Sequence, residues 1–145
     1  MTGREGAELT SDPVLSRWGI SLAYHPEIGA DGIRAMTQQR AAQIFVEQYW
    51  VAAWSGLPQY LATPLLSFSV VEGPEQAALA LQRALVVKAD GLVGPQTCAV
   101  AASANQAALL EAFFAECMAR FKESPRWALD DIGWCRRQFA ASCAP

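Results

Sequence analysis

The longest uncharged run of the chain places the strongest limit on its fold. No residue from Gln48 to Val71 is charged, and as one helix this run has enough length to cross a bilayer. The segment Ser55–Pro58 and a second proline, Pro64, interrupt it. Because proline and glycine break helices, we expect two buried helices joined by a turn, and no membrane span.

The composition predicts one compact domain over residues 1–145. The chain is 52% hydrophobic and 17% charged with a net charge of −3, which is enough apolar material for a core. Its 11 basic residues are spread along the chain and its pI is near 5.1. Nucleic-acid binding needs clustered Lys and Arg, so we expect no nucleic-acid partner.

Hydrophobic spacing and turn residues predict a mainly α fold, a helical bundle with at most a small β-hairpin before residue 37. Thr37 is a predicted cap for the first helix, and Gly73 and Pro74 are predicted to end one helix and open the next. In that next helix Val86 falls on the apolar face and Gln82 on the polar face. The predicted helices cover residues 37–52, 58–71, 74–86, 96 onward, 106–122 and 130–141.

Cysteine and histidine spacing argues against a metal centre. The four cysteines form no CxxC pair, and the single histidine, His25, has no cysteine nearby. We therefore expect no metal, no cofactor and free thiols, with a disulfide as the alternative. His25 lies between Tyr24 and Pro26 in a turn-like segment, which predicts a surface histidine. The first twenty residues lack a basic start followed by an apolar run, which predicts a cytoplasmic protein that reaches a cell wall or a particle, if exported, without a signal peptide.

Seven segments in order carry a family resemblance over nearly the whole chain. They are REG, DP, WGIS, QIFVEQYW, EGPEQAALALQRAL, KADGLVGPQT and GWCRRQF. This order resembles the phage-type N-acetylmuramidases of glycoside hydrolase family 108. The resemblance implies a lysozyme-like helical fold and hydrolysis of the glycan strand of peptidoglycan. Within it, residues 1–36 correspond to the catalytic-motif region, and residues 37–145 to a helical bundle with a peptidoglycan-binding-type segment.

The resemblance assigns the catalytic acid to Glu5 and leaves Asp12 as the assisting carboxylate. A glycosidase needs one carboxylic acid kept protonated and a second group that stabilises the sugar cation or activates water. Here the family's Glu-Gly-Gly-Tyr start is Glu5 followed by Gly-Ala-Glu, and its Gly-Gly-x-Thr stretch is missing. Ser67 and Val71 stand where the family places Asp and Asn. These departures describe a degenerate catalytic motif.

Three residues are candidate substrate ligands. Tyr49 and Trp50 offer aromatic faces that cover sugar rings, although aromatic residues on a helix also form core. Asp90 lies in the turn KADGLVGP, where Asp-Gly and Gly-Pro pairs also serve as turn chemistry. Both interpretations stay open for each residue at the level of sequence.

The sequence supports three hypotheses on function. The first is a working muramidase that uses Glu5 and Asp12. The second is an inactive lysozyme-like module that binds the cell wall. The third is an inactive copy that serves as a structural or interaction protein of a phage-like or secretion particle, with an apolar surface for a protein partner.

Overall fold

The computed structural model describes residues 15–124, 136 and 138–140. Within that part the fold is mainly α with one small antiparallel hairpin near the N-terminus, as the sequence predicts. The elements are β1 Ser16–Arg17, β2 Ile20–Ser21, α1 Gly29–Arg34, α2 Gln38–Tyr49, α3 Ala62–Glu72, α4 Pro74–Ala84, α5 Pro95–Ser103 and α6 Gln106–Glu123. Short 3₁₀ helices cover Pro26–Ile28, Ala52–Gly56 and Gln59–Leu61.

The chain divides into two compact units, Met1–Gln48 and Tyr49–Pro145, each with its own core. We call them unit 1 and unit 2. The described core of unit 1 contains Ile20, Ile33, Met36, Ala41 and Ile44. The larger core of unit 2 includes Trp54, Leu65, Phe68, Leu81, Phe113, Cys117 and Phe121.

In unit 1 a tight turn closes the hairpin. Ser16 pairs with Ser21, and Arg17 pairs with Ile20. The turn residues Trp18 and Gly19 both have positive φ, 53° and 81°, as expected for a two-residue hairpin turn whose twist matches the strands. The short helix α1 lies before residue 37, where the sequence predicts no helix, and it buries Ile33 in this core.

The start of α2 confirms the predicted cap. Thr37 Oγ1 accepts a hydrogen bond of 3.2 Å from the Arg40 amide, so the hydroxyl satisfies a free donor of the first helical turn. The helix ends at Tyr49 rather than at residue 52, and a 3₁₀ helix begins at Ala52. The uncharged run is therefore split into several short helices, and among the described residues no helix combines the length and apolar character needed to cross a membrane.

In unit 2, α4 packs against both α3 and α6. The α3–α4 junction is Gly73, whose φ of 92° and ψ of 158° favour glycine, and Pro74 opens α4 as predicted. Every fourth residue of α6 from Leu109 to Phe121 is buried, which gives this helix one continuous apolar stripe. An ion pair of 2.9 Å between Arg120 and the largely buried Glu72 carboxylate also joins α6 to α3.

Candidate functional site

A cavity beside Trp50 is the candidate ligand site of unit 2. It has a volume of about 180 Å³. We call it the Trp50 cavity. The residues that line it are Trp50, Trp54, Ser55, Leu57, Pro58, Gln59, Ala62 and Leu65. Ser55, Leu57 and Pro58, from the segment that interrupts the uncharged run, are among these lining residues.

The two tryptophans of the cavity have different environments. Their rings meet edge to face, with centroids 5.5 Å apart and planes at 82°. Trp54 is only 2% exposed and belongs to the core. Trp50 is half-buried and packs against the same core, so part of its indole remains available to a ligand. This arrangement lets a core residue hold a ligand-facing aromatic ring in place.

The polar groups of the Trp50 cavity are uncharged. Ser55 and Gln59 are exposed and line it, and none of its lining residues is ionisable. A hydroxyl and an amide beside an aromatic face suit a neutral polyhydroxylated ligand such as a sugar. Among the described residues, the lining of this cavity holds no carboxyl group.

Tyr49, the second aromatic candidate, is half-buried at the end of α2. Its carbonyl oxygen accepts a hydrogen bond of 2.8 Å from the hydroxyl of Ser69, which is fully buried in α3. It is not among the residues that line the Trp50 cavity. Tyr49 thus precedes the lining residue Trp50 in the sequence, and its backbone carbonyl forms a hydrogen bond with α3.

Asp90 lies outside the Trp50 cavity, in a loop organised by a buried glutamine. Gln82, 1% exposed, accepts hydrogen bonds from the amides of Asp90 at 3.0 Å and Gly91 at 2.8 Å. Its amide nitrogen donates to Asp90 Oδ1 at 2.9 Å and to the Leu92 carbonyl at 3.0 Å. The side chain therefore uses its two donor and two acceptor positions on one loop. The prediction that Gln82 lies on a polar face was wrong.

The Asp90 carboxylate closes the same loop. Its Oδ1 atom also accepts from the Leu92 amide at 3.0 Å, and Lys88 Nζ lies 3.8 Å from Oδ2. The hydrogen bond from Gln82, then that from Leu92, hold the pKa of the Asp90 carboxyl below its ordinary value. Oδ1 is thus engaged within the loop, and Oδ2 is the oxygen left to meet a ligand.

The residues around this loop expose apolar surface. Val86 is 90% exposed and Leu92 is 75% exposed. The prediction that Val86 joins the apolar face of its helix was wrong, because α4 ends at Ala84 and Val86 adopts a left-handed conformation with φ of 56°. The amides of Val86 and Val87 donate back to Arg83 and Gln82, the hydrogen-bond pattern of a Schellman helix end.

The catalytic candidates Glu5 and Asp12 lie outside the described residues. Of the positions that depart from the family pattern, Ser67 lies in α3 with a buried hydroxyl that has no hydrogen-bond partner among the described residues. Val71 is half-buried and packs against the core of unit 2. Neither position supplies a carboxyl or amide group to a cleft.

His25 is buried rather than on the surface, which corrects the prediction. It is 4% exposed, and its Nδ1 lies 3.1 Å from Glu27 Oε1. A backbone hydrogen bond at Glu27 and then its hydrogen bond with His25 lower the pKa of the Glu27 carboxyl. The pair sits at the 3₁₀ helix Pro26–Ile28, whose proline turns the chain and carries the histidine inward.

The described cysteines, Cys98 and Cys117, are free thiols. Burial in the core of unit 2 is the main cause that raises the pKa of the Cys117 thiol, which keeps it protonated and unreactive. Cys135 and Cys143 lie outside the described residues. Within the part of the chain that the structure describes, no cluster of three His, Cys, Asp or Glu residues is arranged to hold a metal ion.

The hairpin and helices define a mainly α, lysozyme-like fold. Among solved structures it is similar to SagA from Brucella abortus, with a TM-score of 0.72 and 25% sequence identity. The match covers 88% of this chain and 76% of SagA. No protein-family model and no curated protein matches the chain.

Proposed function

We propose that this chain is a peptidoglycan-directed protein of the lysozyme-like class, related to phage muramidases, whose hydrolytic activity is weakened or lost. The main support for the proposal is the Trp50 cavity, whose lining combines the indole of Trp50 with the uncharged polar side chains of Ser55 and Gln59. The similarity of fold to SagA over 88% of the chain and the family resemblance of the sequence support it.

Binding to the wall is tested by sedimentation with insoluble purified peptidoglycan. We expect the chain to be retained, and Ser55→Ala combined with Gln59→Ala to weaken binding about fivefold or more, because two lost hydrogen bonds at about 0.5–1.5 kcal/mol each total about 1–3 kcal/mol. Both side chains are exposed, so this variant spares the core. Tyr24→Ala, which removes a 70% exposed aromatic outside the cavity lining, is the matched control. Equal retention of both variants would remove the Trp50 cavity from the proposal.

Hydrolysis is tested separately by loss of turbidity of a cell-wall suspension. In a working muramidase the Glu5 carboxyl would protonate the leaving oxygen while Asp12 stabilises the sugar cation or activates water. We expect little or no hydrolysis by the wild type, and any residual activity to disappear in Glu5→Gln. Equal rates above the background of a protein-free suspension would remove Glu5 from the mechanism, and a fast Glu5-dependent rate would contradict a weakened activity.

A second candidate function is that of an inactive interaction protein in a phage-like or secretion particle. The exposure of Val86 and Leu92 beside the Gln82-organised loop favours it, because exposed aliphatic groups on a rigid loop suit a protein partner. Copurification with a large particle at fixed stoichiometry supports this function, and loss of that association in Leu92→Asp assigns it to the loop.

A further inference from the structure

A second cavity lies within unit 1 and shares no lining residue with the Trp50 cavity. It has a volume of about 330 Å³ and is bordered by α1, by the start of α2 and by the chain between them. Its apolar surface comes from Ile28, Met36 and Ile44, the last two being 5% and 3% exposed. We call it the Arg40 cavity. This volume lies at the lower end of those that hold small organic ligands, about 300–1,000 Å³.

The charge of the cavity is set by one residue. Arg40 is the one ionisable side chain in the lining, and Thr37 adds a hydroxyl that already accepts a hydrogen bond from the Arg40 amide. The guanidinium Nη1 lies 3.5 Å from Gln43 Oε1 and 3.6 Å from Glu47 Oε1. Both distances exceed the roughly 2.7–2.9 Å of a charge-assisted hydrogen bond, so these partners hold the guanidinium only weakly. Its planar donor fork matches a carboxylate.

We propose that the Arg40 cavity binds a small aliphatic carboxylate, with the carboxylate on the Arg40 guanidinium and the hydrocarbon chain against Ile28, Met36 and Ile44. An aliphatic chain fits this lining better than a peptide, because a peptide would bury several amide groups where Thr37 is the other polar side chain. The positive charge selects an acid over an alcohol or an amine of the same length.

The test uses octanoate as the probe, with methyl NMR shifts of Ile28, Met36 and Ile44 as the readout of place and affinity. We expect saturable shifts of these methyl groups, and binding about threefold tighter for octanoate than for hexanoate per added methylene, as expected for burial of hydrocarbon. Octanol should bind about three- to tenfold more weakly, since it lacks the charge that pairs with Arg40. Octylamine should not bind.

Three variants separate the two parts of the proposed site. Arg40→Gln should weaken octanoate about three- to tenfold and leave octanol unchanged, whereas Glu47→Gln should tighten octanoate by releasing the guanidinium. Ala35 is an exposed residue of the lining. Ala35→Leu should fill the cavity and abolish the binding of both octanoate and octanol. All three positions are exposed, so folding is retained.

Several results would overturn the proposal. They are an absence of shifts at the three methyl groups, equal affinity for octanol and octanoate, and an unchanged octanoate affinity in Arg40→Gln. Tighter binding of N-acetyl-D-alanyl-D-alanine than of octanoate would also overturn it, since it would assign the cavity to a peptide carboxylate. The measurements with octanoate, hexanoate, octanol and octylamine contain no part of the cell wall, so their outcome is independent of the proposed wall binding.

Discussion

At the scale of single residues, Gln82 has the largest structural effect for its size. Its buried amide makes four hydrogen bonds to the loop of Asp90, Gly91 and Leu92. Gln82→Leu has a similar volume but leaves the partly buried amides of Asp90 and Gly91 without their acceptor. We expect the free energy of unfolding to fall by about 1–3 kcal/mol, measured by urea denaturation. Gln96→Ala, at an exposed glutamine, should change it by less than about 0.5 kcal/mol; a similar loss for both would contradict this role.

Asp90 should make stability depend on acid pH. Because hydrogen bonds from Gln82 and Leu92 lower the pKa of the folded carboxyl below its ordinary value of 3.8, the contribution is complete above that pH. It is lost as pH falls through the lower folded pKa. The amide proton of Leu92, which donates to Oδ1, should report this titration by NMR with a midpoint below 3.8. The Leu92 shift should lose this titration in Asp90→Asn; a wild-type midpoint at or above 3.8 would contradict the assignment.

Val86 is a site where a single change should stabilise the protein. A β-branched residue is strained at its φ of 56°, and its side chain is 90% exposed, so little burial offsets the strain. Val86→Asn should raise the free energy of unfolding by about 1 kcal/mol, measured by urea denaturation. Val86→Ala removes the branching but retains the Cβ atom and should gain less. A lower free energy of unfolding in Val86→Asn would contradict this, since it would show that the valine side chain makes a stabilising contact.

At the scale of elements, the α3–α4 junction depends on backbone conformation. Gly73 has φ of 92° and Gly94 has φ of −107°, and at both positions an added Cβ meets nothing within 4 Å. An added Cβ atom therefore has free space at both glycines, and the two positions differ in the backbone strain that a residue other than glycine would have. Gly73→Ala should lower the free energy of unfolding by about 1–3 kcal/mol. Gly94→Ala should leave it unchanged or raise it by up to about 1 kcal/mol. Equal effects in thermal or urea unfolding would refute the strain argument.

The helices of unit 2 could be predicted because local chemistry determines their ends. Gly73 and Pro74 mark one junction, and the buried stripe from Leu109 to Phe121 marks α6. The confirmed cap of α2 at Thr37 has the same local origin. Residues whose role depends on distant partners were missed.

The missed residues share a physical cause. Gln82 was assigned to a polar face because the period of a helix does not show that a loop eight residues later will hydrogen-bond to its amide. The turn-like Tyr-His-Pro segment predicts a surface histidine, because the sequence does not show that the imidazole is buried beside Glu27. For Gln82, a useful signal was available: a glutamine within an apolar helix shortly before an Asp-Gly turn.

The sugar-binding role of Tyr49 and Trp50 stays a prediction. Of the aromatic residues near the end of α2, Trp50 lines the Trp50 cavity, Trp54 belongs to the core and Tyr49 is outside the lining. The Arg40 cavity does not follow from the sequence pattern, because the predicted helices begin at residue 37 and the cavity walls come from α1 and α2 together.

At the scale of the whole molecule, the net charge of −3 sets the salt dependence of the proposed wall binding. Repulsion between an acidic protein and an anionic envelope is screened as the Debye length falls from about 30 Å at 0.01 M to about 8 Å at 0.15 M salt. We expect retention on peptidoglycan to stay constant or rise with salt, measured by sedimentation, while a strongly basic lysozyme used as a control loses retention. A steep fall for this chain would indicate binding through a local basic surface.

In the loop of Asp90, Gly91 and Leu92, the residue that holds the backbone is the buried Gln82, and the side chains that face outward are different residues. Since Gln82 holds the amides and carbonyl from below, the outward side chains of Lys88 and Leu92 have little part in maintaining the loop's shape. Substitutions at those two positions should therefore cost little stability. The loop is a suitable place to graft a new recognition sequence, because Gln82 holds its backbone.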